Sequence, residues 1–141
     1  MLIEKANNKD LQEVLTLLNE VKLPKEGVAE SFQDFFVIRK NSKVIGCIGI
    51  EKYGEVGLMR SAAIHPSFQG QGYGKKLVEA LENYARDKKL VKIYLLTDTA
   101  EKFFIKFNYK VISREKANPK IKQSVEYTTI CTSSPLLEKE L

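Results

Sequence analysis

The stretch Gln69 to Gly74, QGQGYG, sets glycine at three alternate positions between a strand-like run that ends at His65-Pro66 and the segment KKLVEALENYARDKKL. Proline cannot donate to a strand ladder, and the residue before it avoids helical geometry, so the strand stops there. Beyond the glycines, Leu77, Val78, Leu81, Tyr84 and Ala85 form one apolar stripe with charged residues opposite. That pattern predicts a helix packed on a sheet. Strand, bare turn and amphipathic helix therefore follow one another directly, and the turn presents main chain without side chains. A helix N-terminus carries unpaired N–H groups and about half a positive charge, which suits phosphate oxygens. Lys75 and Lys76 add to this, because cations in a first helical turn are unfavourable by about 0.3–1 kcal/mol unless an anion sits there. The competing reading is a flexible turn with solvated lysines.

Two familiar phosphate loops do not fit. A Walker A loop needs glycine where Gln69 stands and serine or threonine where Lys76 stands, and a dinucleotide fingerprint needs its third glycine one residue later.

Around this unit the chain reads as alternating elements. MLIEKA predicts a short strand, Asn7 or Asn8 caps a helix carrying Leu11, Val14, Leu15, Leu18 and Val21, and Pro24 ends it. KEGVAESFQD is a short helix or loop. FFVIRK, VIGCIGI and VGLMRSAAI are three successive antiparallel strands. After the glycine turn and its helix, KIYLLT is a buried strand. Asp98 with Glu101 resembles a capping box for a helix bearing Phe103, Phe104 and Phe107, which Asn108 closes in left-handed geometry. YKVIS and SVEYTTIC predict two more strands joined by the polar loop REKANPKIKQ, and the tail TSSPLLEKEL is expected to fray. The order gives a mixed α+β fold around one sheet, and a chain of 141 residues suits a single domain spanning 1–141.

Composition removes several classes. No apolar run approaches the roughly 18 residues of a membrane span, and the start lacks a signal peptide's pattern, so a cytoplasmic protein with no membrane partner is expected. His65 is the only histidine, and Cys47 and Cys131 lack ligand spacing. No metal is expected, and both thiols read as reduced and buried. The net charge of +5 is compatible with nucleic acid, but the lysines are scattered, so a small anionic ligand fits as well and no nucleic-acid partner is expected.

The segment AAIHPSFQGQGYGKKLVEAL resembles the central motif of the GNAT acetyltransferase superfamily, Q/R-x-x-G-x-G/A, with Gln69, Gly72 and Gly74 on the defining positions. The likeness continues through KIYLLTDTAEKFFIKFNYKVI. LMRSAAIHP, YLLTDTAEKFFIKFNY and ANPKIKQSVEYTTICTSS are similar to the small amino-acid N-acetyltransferases associated with arsenic resistance, which acetylate toxic glutamate analogues of the phosphinothricin and arsinothricin type. Ser124, Tyr127 and Thr132 depart from those relatives' more usual residues.

The resemblance implies a GNAT fold: one mostly antiparallel sheet of six to seven strands, about four helices, and a splay between the fourth and fifth strands. It implies acetyl-CoA as co-substrate and a small amine, an amino acid with an acidic group, as acceptor. The pyrophosphate would lie on the N–H groups of Gln71, Gly72, Tyr73, Gly74 and Lys75, with Gln69 and Gly70 completing the turn. Pantetheine would pair with Ala62, Ala63 and Ile64, and Thr97 would contribute one hydrogen bond. An N–H near Ala62 or Ala63 would stabilise the oxyanion. Glu51, at the end of its strand, is the first candidate proton acceptor and Glu55 the second, against the reading of both as solvated hairpin residues. Arg60 and Ser61 are assigned to the substrate's acid group, with an ion pair between Arg60 and Glu51 or Glu126 as the competing account. Phe104 stands where many relatives carry an acidic tyrosine, which leaves water or, remotely, Tyr109 to protonate the thiolate. Acetylation of a protein or polyamine amine, or silent acyl-CoA binding, are the alternatives. A homodimer is compatible with the family, with the final strand as the edge that pairs.

Overall fold

Seven strands hydrogen-bond in the order β1-β2-β3-β4-β5-β7-β6. The structure is a computed structural model and describes residues 2–141. β1 (Leu2–Lys5), β2 (Phe35–Lys40), β3 (Lys43–Tyr53) and β4 (Val56–Ile64) form an antiparallel half. β5 (Lys92–Leu96) pairs parallel to β4, and β7 (Leu136–Glu140) lies between β5 and β6 (Lys110–Ile112). The helices are α1 (Leu11–Glu20), α2 (Tyr73–Asp87) and α3 (Glu101–Ile105), with short 3-10 turns between elements. Among the described residues no helix is long and apolar enough to cross a membrane.

Strand periodicity sorts side chains to two faces. Ile48, Ile50, Met59, Ile93, Leu95 and Leu137 join Leu77, Leu81 and Ala85 of α2 and Phe104 of α3 in one core. On the opposite face, Val14, Leu17 and Leu18 of α1 pack on Val37, Val44, Cys47 and Ala63. A separate cluster on Val56, Leu58 and Tyr94 is covered by Ala117, Ile121 and Tyr127.

Several local expectations hold. The Asn7 side chain accepts the Lys9 N–H while Asp10 accepts the Asn7 N–H, so Asn7 caps the entry to α1. Asn108 takes a left-handed φ of 72°. The pairing of β4 with β5 ends at Met59 and Leu95, which is the expected splay.

Four expectations are corrected. SVEYTTIC is not a strand: Glu126–Ile130 closes a π-helical turn, with the Cys131 N–H donating to the Glu126 carbonyl at 2.7 Å. The tail does not fray, because Leu136 and Leu137 enter opposite cores while Glu138 pairs with Lys92 and Lys139 pairs with Glu82. The final strand therefore lies inside the sheet, whose edges are β1 and β6. Asp98 does not cap α3: the Thr97 hydroxyl accepts the Ala100 N–H at 3.0 Å instead.

Candidate active site

The glycine turn is open. Gly70 and Gly72 hold φ of 78° and 87°, and a Cβ built on either would meet no atom within 4 Å. Left-handed backbone of this kind favours glycine at both positions. Gly74 has a different cause, since its Cβ would stand 3.2 Å from the Phe103 ring of α3. Along the turn the first helical bond is Lys76 N–H to the Gly72 carbonyl. No N–H from Gly70 to Lys75 has an acceptor among the described residues. The Gln69 side chain ties the turn back to the end of β4 by donating to the Ile64 carbonyl at 3.0 Å. Gln69, Gly70, Gly72, Gly74 and Lys75, with Ala62, Ala63, Ile64, Tyr73 and Phe103, line a cavity of about 540 Å³, and Gln71 is outside that lining.

A second cavity of about 560 Å³ adjoins it, sharing Ala62, Ala63, Ile64, Gln69, Ala100 and Phe104. It opens where β4 and β5 part, so the β5-facing edge of β4 beyond Met59 has no strand partner there. Ser61, at φ 60°, marks the bulge that turns this edge, and the β3–β4 register shifts beside it. Thr97 sits on the far wall, its hydroxyl proton still free to donate. Phe104 is buried edge-on to Phe103 and Tyr109 and supplies wall, not a hydroxyl. Tyr109 is no candidate acid. It lines neither cavity, and its phenol donates to Glu82 at 2.7 Å, where burial and that carboxylate hold its proton tightly.

The charged centre differs from the sequence reading. Arg60 has a side chain with 0% exposure. Its NH1 donates to Glu51 at 2.8 Å, its NH2 contacts Glu126 at 3.2 Å and the Pro24 carbonyl at 3.2 Å, and its Nε donates to Ser61 at 3.0 Å. The ion pair ranked second from sequence is the arrangement present, with both glutamates engaged, and no face of the guanidinium is left for an incoming acid group. Glu51 faces away from the splay. It lines a neighbouring cavity with Gly27, Asp34 and Tyr53, and it also accepts the Tyr53 phenol at 2.7 Å. Glu55 lies in the β3–β4 turn and lines none of these cavities.

Two carboxylates line the splay cavity, exposed Asp98 and buried Glu126, and Glu126 is the one held against Arg60. Sequence reasoning weighed it only as a structural partner, because a strand through SVEYTTIC gives no reason for it to turn inward. The π-helical turn buries Glu126 and Tyr127 while Thr128 and Thr129 stay exposed. Such turns recur at functional sites. Arg114 fastens this one, lying over the Tyr127 ring at 4.8 Å and donating to the carbonyls of Cys131 and Ser134. Burial, opposed by Arg60 and assisted by Glu51 and Glu26, pushes the Glu126 carboxyl up to about 7. Cys131, in the same wall, is also raised by burial, and buried Cys47 is pushed up to about 12.

The Glu126 shift has a consequence for stability. Folded Glu126 keeps its proton to about pH 7, whereas its unfolded carboxyl releases it near 4.5, so between those values the folded chain binds more protons. Stability therefore falls as pH rises through that window, by on the order of 3 kcal/mol. In urea melts from pH 4.5 to 8, Glu126→Gln is expected to remove this decline; an unchanged slope would refute it.

Lys22, at φ 61° just after α1, also lines the splay cavity, and its ammonium has no ion-pair or hydrogen-bond partner among the described residues.

Comparison with known proteins agrees with this geometry. The Acetyltransferase (GNAT) domain family matches residues 31–111. An uncharacterized N-acetyltransferase of Chlorobaculum tepidum is 32% identical over 111 residues, covering 78% of this chain and 67% of that protein. An amino-acid acetyltransferase of Mycobacterium tuberculosis is 29% identical over 121 residues, covering 79% of this chain and 69% of that protein. Among solved structures, N-acetylglutamate synthase from Neisseria gonorrhoeae, complexed with coenzyme A and N-acetyl-glutamate, superposes with a TM-score of 0.85 at 18% identity. That match covers 99% of this chain and 35% of the synthase.

Proposed function

The chain belongs to the GNAT acetyltransferase family, whose acetyl donor is acetyl-CoA, and from that premise we propose that residues 1–141 form one domain acetylating the α-amine of a small acidic amino acid. Toxic glutamate analogues with phosphinyl or arsenic acid groups, the substrates of the arsenic-resistance type, are the acceptor class proposed, and the cytoplasm is the proposed location. The observation that carries the reading is the continuity of the two cavities: unpartnered N–H groups at one end, the unpaired edge of β4 in the middle, and charged side chains at the other.

The bare turn suits a diphosphate, because its N–H groups have no acceptor among the described residues and no atom lies within 4 Å of a Cβ built on Gly70 or Gly72. Ala62, Ala63 and Ile64 offer free edge groups to an extended amide-bearing arm, as an added strand would use them. The Thr97 hydroxyl donates one further hydrogen bond. An N–H at Ala62 or Ala63 meets the charge that develops on the acetyl oxygen. The acyl donor brings a thioester with a good leaving group, so Phe104 in place of a hydroxyl is tolerable and water protonates the thiolate.

For the acceptor, Arg60 and Ser61 form the floor and hold Glu126, while recognition of the substrate's acid group falls to Lys22. Arg60 is already more than offset by its two carboxylates, so Lys22 is the cation of the lining that can receive an acceptor's acid group. Any homodimer would pair through β1 or β6.

The test is thiol release from acetyl-CoA with glutamate, its phosphinyl and arsenic analogues, and polyamines. Acidic acceptors are expected to turn over, and Lys22→Ala to raise their KM about tenfold, the value of one exposed charge-assisted contact, with little change in kcat. Turnover of polyamines alone would overturn the substrate class.

A further inference from the structure

Two carboxylates share one buried guanidinium at this site, and they are not equivalent. Glu51 has the shorter contact to Arg60, 2.8 Å, and in addition accepts the Tyr53 phenol. Glu126 has the longer contact, 3.2 Å, on a nitrogen it shares with the Pro24 carbonyl. A single positive charge neutralises one carboxylate. The second is left over, and hydrogen bonding decides that the surplus falls on Glu126. The cavities separate them as well, since Glu126 lines the space at the splay and Glu51 lines the one behind Arg60.

We infer that Glu126 accepts the proton of the attacking amine, and that Glu51 acts through Arg60 as a positioning residue. This rests on the acetyl-transfer reading above. The neutral amine attacks the thioester carbonyl, the C–N bond forms, and the N–H proton passes to Glu126, directly or through one water. The C–S bond then breaks with its electron pair on sulfur. Solvent protonates the thiolate, and Glu126 returns its proton to solvent, so the sum is amine plus thioester to amide plus thiol.

The groups facing Glu126 set its behaviour from all sides: Arg60 from β4 favours its anion, while Glu51 from β3, Glu26 from the loop after α1, and burial oppose it. Cys131 follows it one π-helical turn later. The result, a carboxyl titrating at about 7, matches a base that works at neutral pH. Arg114 fixes the backbone that presents it.

The experiment is the pH dependence of kcat/KM with an acidic amino-acid acceptor, for the wild type, Glu126→Gln and Glu51→Gln. Both Glu126 and the substrate amine must lose a proton, so the wild-type log plot is expected to climb with a slope of about two below pH 7 and about one above it. Glu126→Gln is expected to lose about 100-fold at pH 8, and its plot to keep a slope of about one throughout, with coenzyme A affinity unchanged. Glu51→Gln is expected to keep the break but move it to lower pH, because removing that charge leaves Arg60 to Glu126 alone. A break that survives in Glu126→Gln, or vanishes in Glu51→Gln, would overturn the assignment while leaving acetyl transfer intact. A wild type that binds coenzyme A and acetylates no amine would instead overturn the transfer reading, and this role with it.

Discussion

Gly72→Val is expected to weaken coenzyme A binding by about 100-fold or more while the fold survives. The main chain at Gly72 has a φ of 87°, so a β-branched residue there costs about 1–3 kcal/mol, which a domain of ordinary stability tolerates. No protein atom lies within 4 Å of the added Cβ, so packing is not disturbed. The ligand is what the side chain meets. Charge-assisted hydrogen bonds are worth about 1.5–3 kcal/mol each, so displacing a diphosphate from two amides loses about 3–6 kcal/mol. Gly74→Val makes the contrast: its Cβ would press on Phe103, so it is expected to lower the melting temperature more than Gly72→Val does. Calorimetric titration with coenzyme A and circular dichroism melts decide the matter. Affinity retained in Gly72→Val would mean that the turn is a hinge and not a cradle.

That prediction rests on residues whose meaning was legible early. β2, β3 and β4 were legible as apolar, β-branched-rich runs between turn residues and α2 by its single apolar stripe, and the glycines stood out by their alternate spacing just before that helix. The region after β6 was not legible, for a physical reason. Val125, Thr128, Thr129 and Ile130 are β-branched and suggest a strand, yet their backbone closes a π-helical turn held by the distant Arg114 guanidinium, and no local pattern encodes that contact. LLEKE looked like a solvated tail because three of its five residues are charged. Glu138 and Lys139 are satisfied by Lys92, Lys110 and Glu82, partners separated by 28 to 57 positions, so the strand can be interior. Misplacing that strand hid Glu126, since only the true topology leaves residues 114–130 free to fold over β4 and lower a carboxylate onto Arg60.

Arg60→Met separates the two accounts of this arginine more sharply than any activity assay. If the guanidinium served mainly to receive a substrate's acid group, its removal would raise KM and leave stability almost unchanged. The contacts in the structure demand the opposite. Glu51 and Glu126 are 7% and 4% exposed, and without Arg60 they confront each other with no cation between them. Breaking a buried ion pair from one side costs about 3–5 kcal/mol, which at this chain length lowers the melting temperature by about 10 °C or more. The loss is expected to be largest at pH 8 and smaller at pH 5.5, because Glu126, already displaced upward, takes a proton at the lower pH and its repulsion with Glu51 disappears. Adding Glu51→Gln and Glu126→Gln to Arg60→Met is then expected to recover most of the stability, since three neutral groups of similar size leave no buried charge unbalanced. Urea melts of the single and triple variants at the two pH values measure this directly. A single variant as stable as the wild type at pH 8 would mean that the two carboxylates do not depend on Arg60, and the division of roles between them would fall with it.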